Sequence, residues 1–128
     1  MNNMSFSLTT DQVRDRSKNV TRRIGWWNLK PGDLVRACKK CMGLRKGEKV
    51  EELAIIRVVS VRAEPLRAML DDRNYGLDEV AREGFKEDRF LCWPSTWVPW
   101  FCQTHKCTPD TIVNRIEFEY VKPKQENP

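Results

Sequence analysis

The chain has 128 residues and a formal net charge of +5, with 23 Lys and Arg against 18 Asp and Glu. Hydrophobic residues make up 40% of it, enough for one modest core, which excludes a wholly disordered chain. The basic balance favours an anionic partner, nucleic acid being the commonest. No apolar run could cross a bilayer and the first residues lack signal-peptide features, so we expect a cytoplasmic protein without a membrane partner.

The first half of the chain predicts short strands around one helix. Alternating polar and apolar residues indicate a strand over residues 4–8, and Thr9 or Thr10 can cap a helix over residues 10–17. Residues 20–24 read as a strand or an extended arm. A Pro-Gly turn then precedes a strand over residues 33–39, and a polar loop follows.

The second half predicts one long strand, two helices and a closing strand. Residues 53–63 are rich in β-branched side chains, which is typical of a central strand buried on both faces for part of its length. Residues 66–75 are predicted to be irregular or a single helical turn. Short helices are expected over residues 77–83, ended by a glycine, and over residues 94–105.

The closing strand, residues 112–121, alternates between apolar and charged side chains. Ile116, Phe118 and Tyr120 are predicted to face the core, and Arg115 is predicted to lie on a solvated face. The element order suits an α+β protein built on an antiparallel β-barrel with short flanking helices. We expect a single domain over residues 4–121 and a frayed tail over residues 122–128.

The stretch from Lys18 to Asp33 concentrates chemistry-bearing residues. It holds the cations Lys18, Arg22, Arg23 and Lys30, the hydroxyl of Thr21, and the neighbouring tryptophans Trp26 and Trp27. Cations beside a hydroxyl and aromatic rings suit phosphate contact, base stacking or a small polar reaction site. The alternative is a solvated basic hairpin whose tryptophans belong to the core.

The same stretch resembles the signature of the ASCH domain, a small β-barrel related to the PUA fold. The matching features are Lys18-x-x-Thr21-x-Arg23 and the Leu-Lys-Pro-Gly-Asp run that leads into a strand. The Glu83-Gly-Phe run after a short helix and the closing strand also fit. Where the family motif has a glycine two residues before the lysine, this chain has Arg16.

The resemblance implies RNA-related binding in a basic cleft, with RNA or a nucleotide as the partner. The side chains that we predict to contact phosphate or stack on a base are Lys18, Arg22, Arg23, Trp26, Trp27, Arg36 and Lys39.

Hydrolysis is a second reading, because some small ASCH proteins are N(4)-acetylcytidine amidohydrolases. By similarity, Lys18, Thr21 and Glu83 would form the catalytic set, with Glu79 as a less favoured acid. A ribonuclease that uses the same basic cleft, and a module that contacts only a protein partner, remain alternatives.

A metal site is the weakest reading, and we predict no cofactor. Cys38 and Cys41 have the spacing of a zinc half-site, and Cys102, His105 and Cys107 could supply further ligands to a structural zinc ion. The second set lacks a clean Cys-x-x-Cys, and buried free cysteine is common in small cores.

Overall fold

The computed structural model of the protein describes residues 1–122. The predicted frayed tail, apart from Lys122, lies outside this range. Five strands form one sheet, namely β1 (Asn2–Ser5), β2 (Val20–Arg23), β3 (Leu34–Cys38), β4 (Glu52–Pro65) and β5 (Ile112–Tyr120).

The strands form one curled, mixed sheet in the order β1-β3-β4-β5-β2. β1 and β3 run parallel, and the three other pairings are antiparallel. The predicted α+β class with a curled, barrel-like sheet is confirmed, although one strand pair is parallel. β4 is the central strand as predicted, and two register shifts, at Ala37/Cys38 and Val58/Ser60, mark where the pairing is irregular.

Within the described part of the chain, four helices and one wide turn accompany the sheet. They are α1 (Thr10–Arg14), α2 (Ala68–Asp71), α3 (Arg73–Val80), a π-type turn (Ala81–Phe85) and α4 (Pro94–His105). α4 has the predicted bounds and runs through Pro99. α3 begins earlier than predicted because the Asp72 side chain accepts a hydrogen bond from the backbone N–H of Tyr75 and caps the helix.

The apolar core has two parts. One lies on the sheet and includes Met4, Phe6 and Phe118, and the other lies under the helices and includes Met69 and Trp97. Phe6 from the first part and Trp97 from the second both line a single pocket, so this pocket lies where the two parts meet.

Three expectations about the strands were wrong. β1 ends at Ser5 rather than at residue 8. β4 is buried mainly on one face, because Ile56 and Val58 are covered while Val59 is exposed. Arg115 is buried rather than solvated, because α3 covers this part of β5 and Glu79 neutralises the guanidinium. Within residues 1–122, no helix has both the length and the apolar character needed to span a bilayer.

Candidate functional site

The backbone conformation of the segment between α1 and β2 determines where Lys18 lies. Arg16 adopts a left-handed conformation with φ of 63°, and the backbone N–H of Lys18 then donates to the Gln12 carbonyl at 3.2 Å. This conformation favours glycine, the residue of the resembled motif at this position. In this chain an arginine forms the left-handed turn.

Lys18 and Glu83 form a buried ion pair. Lys18 is 2% exposed and Glu83 is 3% exposed. The Nζ atom of Lys18 donates to Oε1 of Glu83 at 2.7 Å and to its backbone oxygen at 2.9 Å. Burial lowers the pKa of Lys18, and the neighbouring Glu83 carboxylate opposes this shift. Two of the predicted catalytic residues therefore make a tight contact with each other.

Gly84 lets the π-type turn approach Lys18. Its φ is +103°, and an added Cβ would lie 2.8 Å from Cβ and Cγ of Gln12 and 3.3 Å from Cβ of Lys18. Such turns inside helices are frequent at functional sites. Here the turn brings the Glu83 carboxylate and the Lys18 ammonium to the same point, and a side chain at position 84 would push them apart.

A larger ionic cluster lies behind this pair. Arg22 contacts Glu79 at 2.6 Å, Glu83 at 3.1 Å and Glu64 at 3.4 Å. Arg115 is the register partner of Arg22 in the neighbouring strand, and it also binds Glu79. Like charges directly opposite each other destabilise a strand pair, so Glu79 between them is structurally required.

Glu79 is a structural residue of this cluster. Burial alone would raise the pKa of Glu79, but Arg115 and Arg22 outweigh it and lower the pKa to about 2. Among the buried side chains of the cluster, Lys18, Arg22 and Arg115 face Glu64, Glu79 and Glu83, three cations against three carboxylates. The more exposed Arg62 and Arg82 also reach Glu64 and Glu79. Glu79 is 1% exposed and does not line the pocket.

Arg23 differs from these cations because it has no carboxylate partner within residues 1–122. Its Nε donates to Oγ1 of Thr21 at 3.0 Å, and its guanidinium carbon lies 4.7 Å from the ring centre of Phe6. Burial lowers the pKa of Arg23 to about 10, and the charge of Glu83 opposes this only in part. The guanidinium therefore has hydrogen-bonding capacity left for a ligand.

These residues line one cavity of about 160 Å³, which we call the main pocket. Its polar wall comprises Lys18, Thr21, Arg22, Arg23 and Glu83. Its aromatic wall comprises Phe85, Trp97, Trp100, Phe101 and His105. The structure thus places five sequence-predicted site residues around one opening.

The aromatic wall comes mostly from α4 and is a continuous packed array. Trp97 and Phe101 stack with ring centres 5.2 Å apart, and Phe101 stacks on His105 at 4.0 Å. Trp97 and Phe101 are buried, whereas Trp100 is half-buried. The buried indole N–H of Trp97 has no hydrogen-bond acceptor in the described part of the chain.

Four of the predicted binding residues do not line the main pocket. Trp26 is half-buried against the sheet, and Trp27 is 54% exposed. Arg36 pairs with Glu52 at 2.9 Å, and Lys39 is exposed just beyond β3. The main pocket therefore takes its aromatic surface from α4 and not from the neighbouring tryptophans.

The cysteines proposed as zinc ligands do not gather. Among residues 1–122, no three His, Cys, Asp or Glu side chains are arranged so that they could hold a metal ion. Burial, together with the neighbouring Cys41, raises the pKa of Cys38 to about 11, and burial with Cys107 does the same for Cys102.

The polar wall has the groups for acid–base chemistry. The Thr21 hydroxyl accepts a hydrogen bond from Arg23, so its own proton is free to pass to a base. A threonine nucleophile needs such a base nearby. Within the described residues, the Thr21 hydroxyl makes no hydrogen bond to Lys18 or Glu83, although all three line the main pocket.

Comparison with solved structures shows the fold. A crystal structure of an ASCH domain from Lactobacillus crispatus JV V101 superposes with a TM-score of 0.58 at 15% identity, covering 93% of this chain and 78% of that chain. The hypothetical protein PH0355 gives 0.55 at 17% identity, with 94% and 96% covered. A protein from Enterococcus faecalis V583, of the family DUF984, gives 0.56 at 18%, with 94% and 75% covered.

The predicted ASCH-type fold is therefore confirmed. No model of a known protein family matches the sequence. No curated protein sequence matches it either.

Sequence reasoning missed the aromatic wall. The spacing of Trp97, Trp100 and Phe101 on α4 indicates a core stripe, which is correct for the two buried members. Trp100 is only half-buried. The helical spacing could not show this difference, because all three side chains lie on one face of the helix.

Proposed function

We propose that this protein binds RNA or a modified nucleotide, with one base seated in the main pocket. The proposal rests on one observation, which is that the main pocket has both a polar wall and an aromatic wall. A half-buried Trp100 offers a face on which a base can stack, and Arg23 and Thr21 offer polar groups to its edge or to an adjoining oxygen. The ASCH-type fold agrees with this reading.

The charge balance supports an anionic or carbonyl-rich ligand. The buried cations behind the pocket are neutralised by carboxylates, whereas Arg23 has no carboxylate partner among residues 1–122. An uncompensated, partly desolvated guanidinium gains most from a ligand oxygen, because charge-assisted hydrogen bonds are the strongest kind.

Binding of a labelled single-stranded RNA, followed by fluorescence anisotropy, tests the proposal. Trp100→Ala is expected to weaken binding about 5- to 150-fold, the equivalent of about 1–3 kcal/mol for one stacked base. Trp27→Ala is the matched control, because Trp27 is exposed outside the pocket. Equal losses in the two variants, or no binding by the unaltered protein, would contradict the proposal.

Deacetylation of N(4)-acetylcytidine is a second candidate, favoured because Lys18, Thr21 and Glu83 line the same pocket. In this reaction water is consumed, the amide C–N bond breaks, and acetate and cytidine are released. The Thr21 oxygen would attack the acetyl carbon, and the Glu83 carboxylate would take the hydroxyl proton and pass it to the departing N4 amine of cytidine. Water would then release acetate from Thr21 and restore its hydroxyl.

Acetate release separates this candidate from binding alone. Thr21→Val removes the hydroxyl at nearly constant shape and is expected to abolish turnover. Thr21→Ser keeps the hydroxyl and is expected to retain part of it. An unaltered protein that binds acetylcytidine and releases no acetate is a binding protein and not a hydrolase.

A further inference from the structure

A second hollow adjoins the main pocket. Its volume is about 430 Å³, and it shares Ser5, Ser7 and Arg23 with the main pocket. Trp26 and Lys40 line only the second hollow. Arg23 therefore lies at the border between two adjoining spaces, and the lining of each space includes tryptophan.

The second hollow is suited to an anion. Its lining in the described chain contains two cations, Arg23 and Lys40, and no carboxylate. The hydroxyl of Ser7 adds a neutral donor, whereas that of Ser5 donates to the Lys39 carbonyl at 3.5 Å. Lys40 lies 3.6 Å from Glu48, but both side chains are over 40% exposed, and such surface pairs are weak and easily exchanged.

Arg23 has the geometry for a phosphate at this border. Within residues 1–122 its only hydrogen bond is from Nε to Thr21, which leaves the N–H groups of both terminal nitrogens available. A planar guanidinium binds phosphate through two parallel hydrogen bonds, which a lysine cannot do. The guanidinium carbon also lies 4.7 Å from the ring centre of Phe6, which packs beside the group.

Resting on the proposed function, we propose that the ligand is a strand of at least two nucleotides. One base occupies the main pocket, its phosphate binds Arg23 between the two spaces, and the neighbouring nucleotide lies in the second hollow against Trp26. This assigns Trp26 and Lys40 to ligand binding although neither lines the main pocket.

Calorimetric titration of a graded ligand series tests this inference. The series comprises ribonucleosides and N(4)-acetylcytidine, their monophosphates, and dinucleotides built from the tightest nucleoside. The phosphate is expected to tighten binding about tenfold or more, as a hydrogen bond to a charged group does. The second nucleotide is expected to add a further gain.

Variants of the protein show which residue is responsible for each gain in affinity. Arg23→Gln should weaken binding of the monophosphate far more than binding of the nucleoside, so that the gain from phosphate is lost. Arg23→Lys should keep part of that gain. Trp26→Ala should remove only the gain from the second nucleotide. Arg36→Gln is the matched control, because Arg36 lines neither space and pairs with Glu52.

The outcomes separate the two proposals. Equal dissociation constants for nucleoside, monophosphate and dinucleotide would overturn this inference and leave the proposed function standing. An Arg23→Gln variant that keeps its melting temperature but loses affinity equally for all ligands would also overturn it. Failure of every nucleoside and every strand to bind would overturn the proposed function itself.

Discussion

The ammonium of Lys18 lies 2.7 Å from a carboxylate oxygen of Glu83, and both side chains are almost completely buried. The two residues are 65 positions apart in the chain. Their contact joins the segment before β2 to the turn after α3, so the same pair that lines the main pocket also holds two parts of the fold together. Substitutions at this pair therefore have consequences for stability as well as for binding.

Removing one partner of the pair should strongly destabilise the protein. Lys18→Met is expected to lower the free energy of unfolding by about 3–5 kcal/mol, because it leaves the Glu83 carboxylate buried with fewer partners. The double variant Lys18→Met/Glu83→Gln removes the charge on both sides and should lose less than the sum of the two single changes. Urea denaturation of the four proteins measures this, and strict additivity would contradict the pairing.

Gly84→Ala should disturb the pocket as well as the fold. Its added Cβ would meet Gln12 at 2.8 Å, and its φ of +103° is unfavourable for alanine. Gly32→Ala is the control, because Gly32 also has positive φ, at +94°, but nothing lies within 4 Å. The control should lose about 1–2 kcal/mol of stability and Gly84→Ala distinctly more. Equal losses measured by thermal denaturation would show that the close approach is unimportant.

Arg16→Gly should be more stable than Arg16→Ala. Both variants remove the contact of the Arg16 guanidinium with the Tyr120 ring, which lies 5.3 Å away. Only glycine relieves the left-handed backbone, whose φ is 63°. The expected difference is about 1 kcal/mol in the free energy of unfolding. A reversed order of the two variants would mean that residue 16 does not hold this conformation in solution.

Acid should lower the free energy of unfolding, because it protonates Glu79. Its pKa is lowered to about 2 in the folded chain, below the model-peptide value of about 4.3 for Glu. The stabilisation by Glu79 is therefore complete above the unfolded value and is lost as pH falls towards the folded value. Between about pH 4.3 and 2, the titration of Glu79 lowers the free energy of unfolding by at most about 1.4 kcal/mol per pH unit.

Comparison with Glu79→Gln isolates this contribution. The variant should start from a lower stability at neutral pH, because it leaves Arg22 and Arg115 without their shared carboxylate. Its free energy of unfolding should then fall less steeply in the acid range. Parallel pH profiles for the two proteins would show that Glu79 titrates normally in the folded state.

Local patterns in the sequence predicted the existence of the five strands and the bounds of α4, although not the end of β1. Lys18, Thr21 and Glu83 were chosen from the resemblance to the ASCH signature, and the structure places all three around the main pocket. The helix predicted to end at Gly84 ends earlier, at Val80, because Gly84 lies inside the π-type turn that follows. The burial of Arg115 was not predictable, because alternation along β5 cannot show that α3 brings Glu79 over it. The second hollow also depends on long-range packing, since it combines β1, β2 and the loop after β3.

Chemical-shift mapping by NMR, during titration with a short single-stranded RNA, tests the central claim most directly. The account predicts that the largest changes fall on the backbone of Thr21 and Glu83 and on the indole N–H of Trp100. Changes confined to the basic loop after β3, with these three signals unmoved, would show a merely electrostatic surface contact and would contradict binding in the main pocket.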